Sequence, residues 1–147
     1  MKEPIDPDLG DPDLGDEAGP PRWRVLAAIA VGGMAGALAR YGLGVAFPHA
    51  AGAFPWATFV TNVVGCLLIG ILMVVITERP GAHPLARPLL GVGVLGGFTT
   101  FSTYVVDAQR LLASGAAVMA LVYLAATVLV ALAAVLAGIR LARAALR

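Results

Sequence analysis

Apolar residues occur in four long blocks along the chain, and short stretches rich in charged residues, proline or glycine separate these blocks. As a helix, which rises about 1.5 Å per residue, each block is long enough to cross a hydrocarbon core of about 30 Å. The pattern therefore predicts an all-α integral membrane protein with four transmembrane helices. We place the spans at residues 25–47, 54–77, 87–112 and 116–139.

The third block is interrupted near its middle by the segment 96–104, which reads Gly-Gly-Phe-Thr-Thr-Phe-Ser-Thr-Tyr. Adjacent glycines weaken a helix, and Ser and Thr hydroxyls compete for its backbone groups. Irregular backbone at membrane depth is tolerated where it is buried in protein or lines a polar cavity. We therefore predict a helix break at 96–100, with carbonyls and hydroxyls free to meet an ion. The alternative is a packing face of small residues whose hydroxyls bond within their own helix.

Composition excludes several classes of function. The chain is 59% hydrophobic and 13% charged, and its net charge of +1 does not suggest a nucleic-acid partner. Its one cysteine, Cys66, cannot form an internal disulfide. His49 and His83 lie in predicted loops, away from any nucleophile or metal-ligand spacing, so we do not expect an enzyme.

The first 21 residues differ from the rest in being polar and acidic, with the tandem repeat Asp-Pro-Asp-Leu-Gly at 6–10 and 11–15. Such a segment cannot bury enough apolar area to order itself. We expect a disordered acidic tail at 1–21, followed by a single four-span membrane domain at 22–147.

Few polar residues lie inside the spans. Arg40 is near the far end of the first span, where it either extends to the interface or attracts anions to a pore mouth. Thr58 and Asn62 share one helical stripe, and Asn62 either bonds to another helix or presents its amide to a permeating anion. Asp107, with its polar neighbours, is expected at the wet end of the third span.

Basic residues are distributed unequally between the two membrane faces. With four spans, both termini and the 78–87 connector share one face, and the opposite face carries Arg110, with Arg40 near its edge. By the positive-inside rule, both termini should be cytoplasmic. The eight basic residues of the first face are Lys2, Arg22, Arg24, Arg79, Arg87, Arg140, Arg143 and Arg147.

Three segments in this order resemble the fluoride channel family (Fluc, also called CrcB). They are Gly-Ala-Leu-Ala-Arg-Tyr at 36–41, Thr-Phe-Val-Thr-Asn-Val-Val-Gly at 58–65, and the broken segment at 96–104. The resemblance covers about residues 24 to 140 and implies an antiparallel dimer in the cell membrane with two fluoride pathways. It also implies a structural sodium ion at the dimer centre, held by backbone carbonyls that match Gly96 and Thr99.

The same resemblance implies roles for individual side chains. Arg40 matches a basic residue near the vestibule. The residues that match the fluoride pathway comprise an amide, two aromatic rings and two hydroxyls, namely Asn62, Phe101, Tyr104, Ser102 and Thr103. The implied function is passive export of cytoplasmic fluoride, which protects the cell against fluoride toxicity.

Two features depart from the family pattern. Tyr104 stands where phenylalanine is more usual, and its hydroxyl adds a donor and bulk at that ion station. The charge bias also suits a fixed orientation better than a homodimer that inserts both ways. The chain is therefore either half of a homodimer or one half of a heterodimer with an oppositely biased paralogue, and a non-conducting or partner-dependent subunit is the alternative function.

A proton-coupled small multidrug transporter is a further alternative of similar size. Such a protein needs a membrane-buried carboxylate. We expect Glu78 and Asp107 at helix ends, which disfavours this alternative.

Overall fold

The computed structural model describes residues 19–78 and 81–147, and within them the chain is helical except at the connections and at one break. Four segments are long and apolar enough to span a membrane, which confirms the predicted all-α four-span architecture. The third, Arg87–Ala113, consists of several pieces. In order, the elements are α1 (Arg22–Ala46), α2 (Trp56–Glu78), a π-helical segment (Arg87–Leu95), α3 (Gly96–Phe98), α4 (Ser102–Ala113) and α5 (Ala117–Leu146).

Helix ends differ from the predicted spans where local chemistry intervenes. Helix α2 begins at Trp56 rather than at 54, because Phe54 precedes Pro55 and a residue before proline disfavours helical backbone. Helix α5 continues to Leu146, beyond the predicted end at 139, since arginine side chains can leave the hydrocarbon while the helix goes on. The predicted disordered tail lies outside the described residues except for 19–21.

The helices pack as two close pairs, α1 against the first half of the third span and α2 against α5. Glycine brings the backbones together in both pairs. A Cβ atom on Gly36 would meet the carbonyl of Val94, and one on Gly138 would meet the carbonyl of Leu67. Small residues at such contacts are the usual means of close helix approach in membranes.

The third span breaks later than its two glycines. Helical geometry persists through Phe98, and Thr99 is extended with φ −73° and ψ 156° before α4 begins at Ser102. Both glycines stay helical, and α1 packs closely on the second of them, where a Cβ on Gly97 would meet the carbonyl of Gly33. The predicted break is therefore present, with its irregular backbone in the second half of the predicted stretch and just beyond it.

The preceding π-helical segment was not predicted. It runs over Arg87–Leu95, and the N–H of Gly96 bonds to the carbonyls of Gly91 and Gly93. Segments of π-helix frequently occur at functional sites. Here the segment leads directly into the break.

Candidate functional site at the helix break

Two side chains from neighbouring helices bond to the backbone of the break. Arg40 in α1 donates from Nε to the carbonyl of Gly97 at 3.1 Å. Asn62 in α2 donates from Nδ2 to the carbonyl of Thr100 at 2.9 Å, and its Oδ1 accepts the N–H of Thr100 at 2.8 Å. These two bonds from Asn62 replace the backbone hydrogen bonds that Thr100 would make in a continuous helix.

Other carbonyls of the break stay open. No described residue donates a hydrogen bond to the carbonyl oxygens of Gly96, Phe98 or Thr99. The Thr99 hydroxyl turns back to the carbonyl of Leu95 at 3.0 Å. The break thus presents unpaired oxygen acceptors inside a segment long and apolar enough to cross a membrane.

Hydroxyl groups gather where the helix resumes. The Thr100 hydroxyl accepts the backbone N–H of Thr103 at 3.2 Å and so caps the first turn of α4. It also lies 3.1 Å from the Thr103 hydroxyl and 3.3 Å from that of Ser102. Ser102 and Thr103, both predicted as pathway residues, therefore belong to one hydrogen-bonded group.

The two predicted aromatic residues have different surroundings. Phe101 is 77% exposed, whereas Tyr104 is 8% exposed, and their ring centroids are 5.8 Å apart. The Tyr104 hydroxyl donates to the carbonyl of Leu124 in α5 at 2.9 Å. Its ring therefore lies beside the break, while its hydroxyl is bonded to the backbone of α5.

A groove of about 620 Å³ runs along the break between α2, the third span and α5. It brings together five of the predicted site residues, and Ser102, Thr103 and Arg40 lie outside its lining. Cys66 and Thr127 also face it. The predicted residues in its lining are Asn62, Gly96, Thr99, Phe101 and Tyr104.

A buried carboxylate near this site was not foreseen. Asp107 is 2% exposed, so its expected place at the wet end is wrong for its side chain. Its Oδ2 accepts the Thr58 hydroxyl at 2.6 Å, and its Oδ1 lies 3.4 Å from Nη1 of Arg110, which is 70% exposed. The sequence did hold a signal, because Asp107 follows Tyr104 by three residues and Thr58 precedes Asn62 by four, so each shares a helix face with a site residue.

This carboxylate changes one argument against a transporter, because a buried acid is present after all. Asp107 is held by Thr58 and Arg110 and does not line the groove. A proton-exchanging carboxylate would have to be reachable by the transported cation. Asp107 is buried, but it lies outside the groove, and this location disfavours the transporter function.

Tyr123 is a second buried polar residue that was missed. Its side chain is fully buried beside Tyr104, at a centroid distance of 5.3 Å. Among the described residues its hydroxyl has no hydrogen-bond partner, and leaving a buried donor unpaired is costly. Thr127, one turn on, bonds to the carbonyl of Tyr123 at 2.7 Å.

The donor set at the break determines what cation could bind there. Across residues 19–78 and 81–147, no group of three or more His, Cys, Asp or Glu side chains is arranged to hold a metal. The open carbonyls of Gly96 and Thr99 are neutral oxygen donors, which suit a hard cation such as an alkali metal ion. The residues therefore fit the cation that the resemblance implies.

The fold and the site define a class, namely multi-pass membrane proteins in which a broken helix exposes backbone and hydroxyl groups to a transported ion. Within this class the chain belongs to the CrcB family. The family described as "CrcB-like protein, Camphor Resistance (CrcB)" matches residues 27–139. The resemblance read from the three sequence segments is thereby confirmed.

Curated relatives support the same assignment. The chain is 56% identical over 117 residues to "Fluoride-specific ion channel FluC 1" of Streptomyces coelicolor, covering 77% of this chain and 76% of the relative. It is 56% identical over 119 residues to "Fluoride-specific ion channel FluC 2" of Nocardia farcinica, covering 81% and 85%. It is 49% identical over 135 residues to "Fluoride-specific ion channel FluC 2" of Streptomyces avermitilis, covering 86% and 85%. These relatives bear the names of channels and not of enzymes, in agreement with the sequence analysis.

Proposed function

We propose that this chain forms a fluoride-selective channel that passively conducts fluoride out of the cytoplasm across the cell membrane. The observation that carries the proposal is the broken third span, held by Asn62 and open to a groove, in a chain whose relatives are named fluoride channels. Residues 22–147 form the channel unit. Export of fluoride would protect the cell from its toxicity.

The groove offers the kind of contacts that a small, strongly hydrated anion needs. One Nδ2 hydrogen of Asn62 bonds to Thr100, and its second amide hydrogen has no partner among the described residues. The hydroxyls of Ser102 and Thr103 add donors, and the ring edges of Phe101 and Tyr104 carry partial positive charge. Such groups replace water without binding the anion too tightly to leave.

A second chain is needed to complete the site. Open carbonyls and the exposed ring of Phe101 lie on the groove face, and lipid tails cannot satisfy backbone acceptors. We propose that another subunit covers this face in an antiparallel dimer. A sodium ion held by the carbonyls of Gly96 and Thr99 would supply positive charge at the dimer centre, which offsets the cost of an anion in a low-dielectric setting.

The charge distribution bears on the identity of that subunit. Only two basic residues lie near the far face, and each has a partner in this chain: Arg110 pairs with Asp107, and Arg40 bonds to Gly97. The arginines at the start of α1 and at the end of α5 give the face that carries both termini its excess of positive charge. We infer that the chain has one preferred orientation, with cytoplasmic termini, and that an oppositely biased paralogue is its partner.

Arg40 has a second proposed role at the vestibule. Its Nε bonds to Gly97, but the charge of the guanidinium remains, and Arg40 is only partly buried. A fixed positive charge at the mouth of a pore raises the local concentration of anions. This agrees with the role that the resemblance implies.

Growth in fluoride tests the proposed function. We expect the chain, expressed alone or with an oppositely biased paralogue, to restore growth to a bacterium that lacks its own fluoride exporter. An empty vector and an equal concentration of chloride are the controls. Failure of both combinations, with protein present in the membrane, would refute the proposed function.

A further inference from the structure

The carbonyls of residues 96–100 are not equivalent. Two of them are covered by side chains that come from different helices, Gly97 by Arg40 of α1 and Thr100 by Asn62 of α2. The carbonyls of Gly96, Phe98 and Thr99 receive no hydrogen bond from any described residue. The pattern of covered and open oxygens is therefore imposed from outside the third span.

We propose that Arg40 and Asn62 are positioning residues that determine which carbonyls of the break remain open to a cation and hold those carbonyls in place. The inference rests on the proposed function, in which a sodium ion binds at Gly96 and Thr99. It assigns to both side chains a role beyond the vestibule and the fluoride pathway.

Arg40 can do this because its charge and shape suit the end of a helix. Helix α3 ends at Phe98, and the last carbonyls of a helix carry partial negative charge without intrahelical donors. The guanidinium is always charged and presents its donors in a rigid plane. Its bond to the Gly97 carbonyl occupies one of these acceptors. It also fixes the peptide plane between Gly97 and Phe98, which follows the plane that carries the Gly96 carbonyl.

Asn62 acts from the other side through two bonds at once. Its carbonyl oxygen accepts the N–H of Thr100, and its amide nitrogen donates to the carbonyl of the same residue. An amide that makes both bonds can do so in one orientation only, because its oxygen and nitrogen are not interchangeable. The contact therefore fixes the backbone that follows Thr99.

A fixed set of carbonyls discriminates between cations by size. Sodium and potassium carry the same charge, so loss of the Arg40 charge changes the affinity for both ions by the same factor. The ratio of the two affinities responds instead to the positions and number of the oxygen donors. This ratio separates a positioning role from a purely electrostatic one.

The test uses the purified full-length dimer and its thermal unfolding. Sodium or potassium replaces N-methyl-glucamine at constant ionic strength, and the concentration that gives half of the maximal stabilisation is measured for each ion. The variants are Arg40→Gln, which uncovers Gly97, and Asn62→Asp, which keeps an acceptor for Thr100 N–H and loses the donor. Arg140→Gln makes the same charge change near the end of α5, far along the chain from the break, and serves as the control.

We expect the preference for sodium over potassium to fall by about threefold to tenfold in both variants, the size expected for the loss of one hydrogen bond. It should be unchanged in the control. Where Arg40→Gln does not yield a folded dimer, Arg40→Lys keeps a long side chain with an N–H donor for Gly97 but loses the rigid plane of the guanidinium, and should lower the preference less.

Two results would overturn the inference. A sodium preference equal to that of the unchanged protein in both variants, which means that both ion affinities shift by the same factor or not at all, is the first. A protein that responds to neither ion has no cation site, which overturns the inference as well. Fluoride efflux from the same preparation then shows separately whether the channel function stands.

Discussion

At the scale of single residues, the stability of the structure depends on buried polar groups and their hydrogen-bond partners. Asp107 is the clearest case, because a nearly buried carboxylate is stable only when its neighbours bond to it. Thr58 donates to it at 2.6 Å, and Arg110 lies within 3.4 Å from the exposed side. This group links α2 to α4.

Replacing Asp107 should therefore destabilise the protein in a graded way. We expect Asp107→Ala to lower the free energy of unfolding by about 2–3 kcal/mol, because it leaves the buried hydroxyl of Thr58 without its charged acceptor. Asp107→Asn keeps an acceptor for Thr58 and should cost less. Thermal unfolding in detergent measures both.

The matched control is Glu78→Gln, which removes the ion pair with Arg143. Both side chains of that pair are well exposed, so its loss should cost about 1 kcal/mol or less. Equal effects of Asp107→Ala and Glu78→Gln would show that the Asp107 group is not a structural link.

Tyr104 permits a second prediction at this scale. Its hydroxyl bonds to Leu124 and not to the groove, so it should not act as an ion ligand. Tyr104→Phe should cost about 1 kcal/mol of stability, the value of one hydrogen bond, and leave the selectivity for fluoride over chloride unchanged. Efflux assays measure the selectivity, and thermal unfolding measures the stability. A changed selectivity would mean that the hydroxyl contacts the ion.

Sequence reasoning identified some of these residues and missed others for physical reasons. Asn62 was expected to bond either to a helix or to an ion, since a membrane amide must have a partner, and the structure supplies Thr100. The sequence predicts a solvent-exposed position for Asp107, because this residue is near the end of an apolar block. The depth of a side chain depends on which helices surround it, and a single sequence does not reveal that.

At the scale of elements, the third span shows how packing overrides local propensity. Its two glycines favour a break in the helix, yet both are helical, and α1 lies directly against Gly97. The extended residue is Thr99, stabilised by a hydroxyl bond to Leu95. Propensity located the break to within a few residues, whereas its exact form, including the π-helical segment, depends on the contacts with α1 and α2.

The close contact between α1 and the third span gives an element-scale prediction. A Cβ on Gly36 would meet the carbonyl of Val94 and the N–H of Phe98, so Gly36→Ala must push the helices apart. We expect it to cost about 1–3 kcal/mol, as overpacking does. Thermal unfolding of the purified protein measures the change.

Gly42→Ala, in the same helix, is the control. It has open space around it and is exposed, so alanine there should be neutral or stabilise by about 0.5–1 kcal/mol through helix propensity. Equal effects of the two substitutions would show that α1 and the third span are not in close contact at Gly36.

At the scale of the whole molecule, the distribution of charge supports the proposed orientation in the membrane. Basic residues concentrate at the end where α1 begins and α5 ends, and Arg143 pairs there with Glu78. On the far face, Arg40 bonds to Gly97, and Arg110 pairs with Asp107 from the exposed side. This imbalance supports the single orientation that we propose.

Reporter fusions test the orientation. We expect a fluorescent protein fused to the C-terminus to fluoresce in the cytoplasm and an alkaline phosphatase fusion at the same point to be inactive. Arg140→Gln combined with Arg143→Gln should reduce the difference between the reporters. Equal activity of the two reporters on the unchanged chain would show dual insertion and would contradict the need for an oppositely biased partner.

The overall architecture was the most predictable level. Four apolar blocks of spanning length determine four helices almost regardless of their contacts, and the three short motifs were specific enough to indicate the family. The pairing of α2 with α5, and of α1 with the third span, was not predicted, since small residues occur in every span and do not by themselves specify partners.

Fluoride efflux from potassium-loaded liposomes tests the central claim most directly. Valinomycin carries the compensating potassium, and chloride in place of fluoride is the control. We predict rapid efflux of fluoride without efflux of chloride, either from the purified chain alone or from the chain purified together with an oppositely biased paralogue. Absence of fluoride efflux from both preparations, with folded dimer present in the liposomes, or efflux of chloride as fast as that of fluoride, would contradict the account.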